Sequence, residues 1–471
     1  MDLWERFRQF QERAQRAAPA QVPGAEPAHV PGAEPARTPG SGAVERWRRR
    51  AVADLGLQCE ETPAGPSCFL ETFYPATHRH GILDLGSFLN LPPEGLGILA
   101  QPPQALPPSA WAFLDTETTG LQGGPGTIVF LCGLARFAQD TLVVRQYLAP
   151  DPAAEPALIW AVLRDLAGCQ GIVSFNGRAF DWPLIRDRVV LARQSLPPDP
   201  VHADLLFPAR WLFRSRLASC RLTHLESEIL RCPREGDIPS ELIPEVYRAY
   251  LRGAPARTLA PVLDHNRHDL LSLVVLACRL LAPWLQAEEA EPEELYGLAR
   301  MMWARGHAPQ AVPLWEKAVA GLPPVLATRA GEELGRIYRH LGQPHEAARI
   351  WRAVAPDGAL AHPGPLVELA KYYEHVVRDH EAARQCTLRA LEAARHRAAL
   401  AAPSPPGMGV PRSTPDTRCG RPAPPWSLRG DASPSPGSSP GSGASVPELL
   451  HRLRRLERKL AAHPGPPPSG D

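Results

Sequence analysis

Lysine is nearly absent from this chain: Lys317, Lys371 and Lys459 are the only three in 471 residues. Positive charge is therefore almost all arginine, and 51 Lys+Arg against 50 Asp+Glu leave a formal net charge of +1. That balance excludes a global basic field, so any hold on nucleic acid needs a local patch. Arginine favours bidentate phosphate contacts, although its abundance beside so much Ala, Pro and Gly also fits a GC-rich genome. The nine cysteines include no C-x-x-C and follow no regular spacing. This speaks against a disulfide scaffold and for reduced, mostly buried thiols in a cytoplasmic protein. No uninterrupted apolar run has membrane length; the longest, around Leu270 to Leu285, carries Arg279 and Pro283. The start Met1-Asp2-Leu3-Trp4-Glu5-Arg6 has no apolar signal core behind it. The expectation is a soluble, cytoplasmic protein with no membrane partner.

The length allows two or three domains with their own cores. Residues 1–44 read as a flexible arm: a short helix over 1–17, then Pro, Ala and Gly with Val-Pro-Gly-Ala-Glu-Pro-Ala twice, at Val22 and Val30. A mixed N-terminal extension covers 45–110. It holds the basic run Arg46-Trp47-Arg48-Arg49-Arg50 and the pair His78 and His80, which lacks an evident third metal ligand, so a structural role is favoured. Residues 111–285 read as one α/β unit. Strands are expected over 111–116, 128–137 and 141–148, forming an antiparallel three-strand meander. Helix follows over 156–166, strand over 171–175, helix over 181–194, a strand end near Asp204, and helix for the remainder.

Residues 291–395 change character. Gly306, Ala311 and Trp315 recur 36 residues on as Gly342, Ala347 and Trp351, and a poorer third copy places Ala382 and Cys386. Helical periodicity at that spacing signals tetratricopeptide-like helix pairs able to recruit a protein partner. Residues 396–445 read as a disordered linker and 463–471 as a tail. Between them, 446–462 form an amphipathic basic helix with Leu449, Leu450, Leu453, Leu456 and Leu460 on one stripe, which either caps the repeats or binds a partner.

Chemistry is concentrated in carboxylates. Asp115-Thr116-Glu117-Thr118 follows the apolar run Trp111-Ala112-Phe113-Leu114. Residues i and i+2 of a strand share a face, so Asp115 and Glu117 project together from a strand end. Such a pair is costly to bury unless a cation joins it, and hard divalent ions take oxygen ligands of this kind; a strand end breaking into a polar turn explains the pair alone equally well. Asp181 follows a second buried strand within Ser174-Phe175-Asn176-Gly177-Arg178-Ala179-Phe180-Asp181. Asp269 stands in Asp264-His265-Asn266-Arg267-His268-Asp269, at the start of an apolar helix, where a carboxylate is favoured by the helix dipole.

In order, spacing and neighbours, these acids resemble the motifs of the DEDD 3′–5′ exonucleases of the ribonuclease H-like superfamily, and more particularly its YprB-like branch. The similar words are Phe113-Leu114-Asp115-Thr116-Glu117-Thr118-Thr119-Gly120-Leu121, the segment from Ser174 to Leu184, and His265-Asn266-Arg267-His268-Asp269-Leu270-Leu271. The resemblance covers about residues 70–285. It implies a mixed sheet with helices on both faces, and phosphodiester hydrolysis with two Mg2+ or Mn2+ ions held by Asp115, Glu117, Asp181 and Asp269. The third motif departs from the family: the spacing His265-x3-Asp269 belongs to a subclass with Tyr, whereas the His subclass would place its histidine at Asp264. His265 is the candidate to orient or deprotonate water near neutral pH, and His268 is the second. Substrate-contact candidates are Thr118, Asn176, Arg178, and Arg214 and Arg216 of the basic–aromatic stretch 210–216, for which a solvated arginine face is an equal reading. The loop Gly123 to Gly126 can approach a phosphate or form a plain turn. The implied partner is single-stranded DNA or RNA. The alternative is a catalytically inactive ribonuclease H-like nucleic-acid-binding or scaffold protein.

Overall fold

The computed structural model describes residues 49, 51–120, 126–355, 362–401 and 445–462. Residues 1–44, expected as an arm, residues 121–125, and most of the segments expected as linker and tail lie outside them. The chain divides into two units, residues 1–290 and 291–471.

Among the described residues of the first unit there are nine strands: β1 (Gln58–Thr62), β2 (Gly65–Pro75), β3 (Arg79–His80), β4 (Leu83–Asp84), β5 (Trp111–Thr118), β6 (Val129–Ala138), β7 (Thr141–Leu148), β8 (Gly171–Ser174) and β9 (Val201–Asp204). Seven form one sheet in the order β1-β2-β7-β6-β5-β8-β9, and β3 and β4 make a separate two-stranded hairpin. The meander β5-β6-β7 is antiparallel, while β8 pairs parallel with β5 and β9 parallel with β8. β5 is therefore central, and its four residues Trp111 to Leu114 are all buried, as a strand covered on both faces requires.

Five helices of this unit matter for the site: α1 (Glu155–Leu166), α2 (Asp181–Leu191), α3 (Leu206–Phe213), α4 (Ile243–Leu251) and α5 (Ala260–Leu285). The two faces of the sheet sort them. Ala112, Leu114 and Tyr147 pack with Leu158 and Val162 of α1 and Ile185 and Val189 of α2. Phe130 and Leu148 pack with Tyr247 of α4 and Val262 and Leu263 of α5, the Phe130 and Tyr247 rings stacking at 4.0 Å. Each such side chain removed from water stabilises the unit by roughly 1.5–3 kcal/mol. By length and composition α5 is apolar enough to cross a bilayer, but its apolar residues form this core. The mixed sheet with helices on both faces is the ribonuclease H-like architecture expected above.

Four sequence expectations need correction. Asp269 is not at the start of its helix: α5 begins at Ala260, which puts this carboxylate beyond the first turns, where the helix dipole does not favour it. The sheet reaches into the segment taken as an extension, because β2 pairs with β7 along residues 68–75 and β1 with β2. Cys59 and Cys68 are joined in a disulfide rather than reduced. Their antiparallel register sets them directly opposite each other, a cross-strand proximity that a search for short cysteine spacings does not detect. Lastly, residues 206–285 are not helical throughout. A helical turn over Leu222–Leu225 and a π turn over Glu226–Leu230 end at Arg231, which adopts a left-handed φ of 57°. Pro233 and Pro239 then keep 231–239 out of helix.

The second unit is built from helices α6 (Pro292–Ala304), α7 (Ala308–Gly321), α8 (Pro324–His340), α9 (Pro344–Val354), α10 (Pro363–Tyr372), α11 (His380–Ala401) and α12 (Val446–Ala462). The first six pack as consecutive pairs. Gly306 and Gly342, with φ of 84° and 75°, close the first helix of the first two pairs, a conformation that disfavours any side chain. The recurrent tryptophans serve equivalent ends: Trp315 Nε1 donates to the Ala330 carbonyl at 3.0 Å and Trp351 Nε1 to that of Glu332 at 3.4 Å. Helix α12 docks on the last pair, Leu449 joining Leu366, Val367, Ala390 and Leu391. Arg452, Arg455 and Lys459 of α12 all converge on the buried Glu374, at 2.6, 2.6 and 2.8 Å.

Candidate active site

Strand alternation sets the geometry. Asp115 and Glu117 leave the end of β5 on the face covered by α5, where Asn266 Nδ2 donates to Asp115 Oδ2 at 2.7 Å. Thr116 points to the opposite face, and its hydroxyl donates to Asp181 Oδ1, at the start of α2, at 2.5 Å. Asp269, on α5, accepts a hydrogen bond from Arg234. Two acids thus come from the central strand and one from a helix on each side of the sheet. His265, one turn before Asp269, has Nε2 3.9 Å from both Glu117 Oε1 and Asp269 Oδ2. Its Nδ1 donates to Asp237, both oxygens lying at 2.9 Å.

Asn266 fits beside Asp115 because β6 is Gly133 opposite that residue. Asn266 is fully buried, and its Oδ1 accepts from Gln146 Nε2 at 2.9 Å. A Cβ on residue 133 would collide with Asn266 Oδ1 and lie 2.7 Å from Leu270 Cδ1. Gly133→Ala is therefore expected to cost about 1–3 kcal/mol in urea unfolding. It should also slow any cleavage, by displacing the amide that holds Asp115.

The loop leading to Asp181 is fixed from β9. The Asp204 carboxylate accepts from the backbone N–H groups of Asn176 at 2.7 Å and Arg178 at 3.2 Å, and from Leu206 at 3.1 Å. Asn176 adopts φ 68° within this cradle. The Arg178 side chain, on the exposed side, donates to Gln101. Thr118 Oγ1 donates to the Gly120 carbonyl at 2.6 Å, and Arg248 holds the Thr119 carbonyl at 2.7 Å. Thr118 thus ends β5 next to Glu117, while Asn176 and Arg178 sit on the loop that leads to Asp181. Arg214 and Arg216 follow α3 instead. Arg216 lies over the Phe213 ring at 5.8 Å, as does Arg279 of α5 at 5.5 Å. Arg279 is ten residues beyond Asp269, ~15 Å along the helix, so these arginines are not brought to the carboxylates. The glycine loop lies outside the described residues but for Gly126.

The two remaining histidines of the sequence argument are structural neighbours. His78 packs edge-on against Tyr74 at 4.8 Å, whereas His80 Nε2 contacts Ser272 Oγ at 2.9 Å and its ring meets that of His268 at 4.9 Å. His268 thus turns to His80, and His265 alone of the two water candidates has ion-pair contacts with the acids. Behind β8, Ser174 Oγ and His202 Nε2 are 2.7 Å apart. Burial, with the charge of Arg178, lowers His202 to about 3. An unfolded histidine titrates near 6.5, so below that pH the unfolded chain binds a proton that the folded one refuses. This contribution is complete above pH 6.5 and is lost as pH falls toward 3, by ~1.4 kcal/mol per unit. His202→Asn should flatten the loss of stability between pH 7 and 5 by about 1–2 kcal/mol, read from urea unfolding at each pH.

Electrostatically the acids oppose one another. Burial, then the charges of Asp269, Glu117 and Asp181, holds the Asp115 carboxyl well above the usual range, against the pull of Asn266. Burial lifts Glu117 to about 8 in spite of His265, and lifts Asp181 to about 6 in spite of the Thr116 hydroxyl. Burial opposes charge on His265, but its bond to Asp237 and the fields of Asp269 and Glu117 prevail and raise it to about 9. A buried, all-oxygen cluster whose carboxyls still raise one another's proton affinity beside Arg234 and His265 suits a hard divalent cation in its donor chemistry. Among the described residues, however, no group of three His, Cys, Asp or Glu is arranged to hold a metal as it stands. Asp115, Asp181 and Asp269 are each turned onto a protein donor instead.

Four contributors escaped the sequence reading. Asn266 had a signal, lying inside the third motif. Asp204 had a weaker one, as a lone acid at a strand end. Arg234 and Asp237 had none, since their segment reads as helix.

A fold of this topology, with acids at the end of its central strand, defines the ribonuclease H-like class. A family model described as RNase_H superfamily matches residues 112–281. The chain is also 33% identical over 297 residues, 60% of its own length and 70% of the relative's, to the uncharacterized protein YprB of Bacillus subtilis (strain 168). It belongs to the YprB family of the ribonuclease H-like superfamily. Members of this superfamily generally hydrolyse phosphodiester bonds and typically use divalent metals, so a nucleic-acid-processing role follows.

Proposed function

We propose that this protein is a metal-dependent 3′–5′ exonuclease acting on single-stranded DNA or RNA. The observation that carries the reading is the gathering of Asp115, Glu117, Asp181 and Asp269 around the end of β5, with His265 Nε2 facing Glu117 and Asp269. Asp115, Glu117, Asp181 and Asp269 would hold two Mg2+ or Mn2+ ions, which supply positive charge to the attacking and leaving oxygens of the displacement. Asn266 keeps Asp115 in place, and Thr116 keeps Asp181. His265 orients the attacking water through Nε2. Thr118, Asn176 and Arg178 line the approach and contact the strand being cut. The helix pairs of the second unit resemble tetratricopeptide repeats and recruit a protein partner.

The test is incubation of the purified full chain with Mg2+ or Mn2+ and 5′-labelled single strands of DNA and of RNA. Stepwise shortening from the 3′ end is expected, and intact oligonucleotides under every condition would end the reading. A second reading, a binding or scaffold module without catalysis, is favoured by one observation: Asp269 already carries a cation partner in Arg234. Under that reading Asp115→Ala binds oligonucleotides as well as the wild type, and neither cleaves them.

A further inference from the structure

The segment 231–239 places a buried ion network behind the acids. The Arg234 side chain, 6% exposed, uses all three guanidinium nitrogens. Nε and Nη2 reach Glu226 at 2.6 and 2.5 Å, Nη2 also reaches Asp269, and Nη1 reaches Asp237 at 3.1 Å. Glu226 is itself completely buried. One residue therefore ties the π turn, the loop and helix α5 together, and holds three carboxylates at once.

Asp237 then faces His265. Both its oxygens are 2.9 Å from Nδ1. Arg234 Nη1 also approaches Nδ1, at 3.2 Å, but a guanidinium has no lone pair to offer a ring N–H. Among the described residues Asp237 is thus the acceptor at Nδ1, and that nitrogen carries the hydrogen. Nε2 is left pointing between Glu117 and Asp269. A carboxylate behind an imidazole fixes both tautomer and ring orientation in just this way in other active sites.

We propose that Asp237, braced by Arg234, is the positioning residue of His265: it holds the hydrogen on Nδ1 and aims Nε2 into the acid cluster. This rests on the nuclease reading, in which Nε2 orients the attacking water. It accounts for a histidine standing where the related subclass has tyrosine, because a phenol needs no partner to choose its tautomer.

Two measurements on the full chain test it. In protein labelled with 15N-histidine, the Nδ1 proton of His265, assigned by its loss in His265→Asn, is expected far downfield and slow to exchange. It should move upfield in Asp237→Asn and vanish in Asp237→Ala; a resonance indifferent to both substitutions overturns the proposal. The second measurement is a cycle of rates with Mn2+ and a labelled single strand. Asp237→Asn should lower kcat by about 10–100-fold with KM little changed, and should cost nothing further in a His265→Asn background. Losses that multiply in the double variant would mean that Asp237 acts elsewhere, and the proposal falls. If the wild type cuts no strand while the downfield proton behaves as stated, the nuclease reading fails and with it the catalytic purpose of the pair, whereas an indifferent proton in an active enzyme removes only Asp237's role. Thermal melting of each variant identifies loss of fold, and the isosteric Asp237→Asn carries the test if Asp237→Ala does not fold.

Discussion

Replacing Asp115 by Asn is expected to abolish cleavage, by ~10³-fold or more, and at the same time to stabilise the metal-free protein. The two effects share one cause. At pH 7 the folded state confines Asp115 with Glu117, Asp181 and Asp269 in a buried setting that raises its affinity for protons. The unfolded chain ionises the same carboxyl freely near pH 4. A carboxyl held above its unfolded value binds more protons when folded, so its contribution to stability declines as pH rises from the unfolded pKa toward the folded one. Asn keeps the shape, leaves an oxygen for the Asn266 amide, and removes the charge. A gain of about 1–2 kcal/mol is expected, the usual size when a functional strain is relieved. Melting curves without metal should show it directly at pH 7.5, and the gain should shrink toward pH 5 as the wild-type cluster takes up protons. Adding Mn2+ should raise the melting temperature of the wild type and leave Asp115→Asn nearly unmoved. An unchanged or lowered melting temperature for the metal-free variant would mean that the acids do not repel one another as their burial implies.

What could be read in advance follows from which forces are local. Trp111 to Leu114 announce a strand buried on both faces, and alternation alone sends Asp115 and Glu117 to one side of it. Thr116 must then face the other side, yet nothing in the sequence says that its hydroxyl will meet Asp181, 65 residues on. Asp269 was legible through its motif; its partner Arg234 was not, because Cys232-Pro233-Arg234-Glu235-Gly236-Asp237 owes its position to two prolines and a left-handed Arg231 rather than to any period. Strands β1 and β2 lack the clean alternation that marks an isolated strand, and the pairing of β2 with β7 spans more than 65 residues of sequence. Cys59 and Cys68 became neighbours only through the hairpin that joins β1 to β2. Apart from this hairpin, whose cysteines are only 9 residues apart, the missing knowledge is in each case a long-range pairing between residues ordinary in composition.

Arg234 carries the second large expectation. Arg234→Ala should destabilise the first unit by about 3–5 kcal/mol, the cost of leaving buried charges without a partner. Glu226 is wholly buried, and Asp237 and Asp269 are mostly so; each would lose a charge-assisted hydrogen bond at once. Arg234→Lys should recover only part of the loss, since a single ammonium cannot reproduce three nitrogens held in one plane against three carboxylates. The magnitude should not be taken as the worth of the ion pairs. Charges removed from water are costly, and their mutual attraction offsets that cost without greatly exceeding it. The distinction is measurable: Arg234→Met together with Glu226→Gln should be more stable than Arg234→Met alone, because the second change removes the carboxylate that the first one strands. Urea unfolding of the four proteins in that cycle gives the coupling directly. A double variant no more stable than the single one would locate the cost in lost packing of the arginine stem instead. If the coupling is as large as the burial of Glu226 suggests, the network is retained for where it holds Asp237 and Asp269, not for the stability it adds.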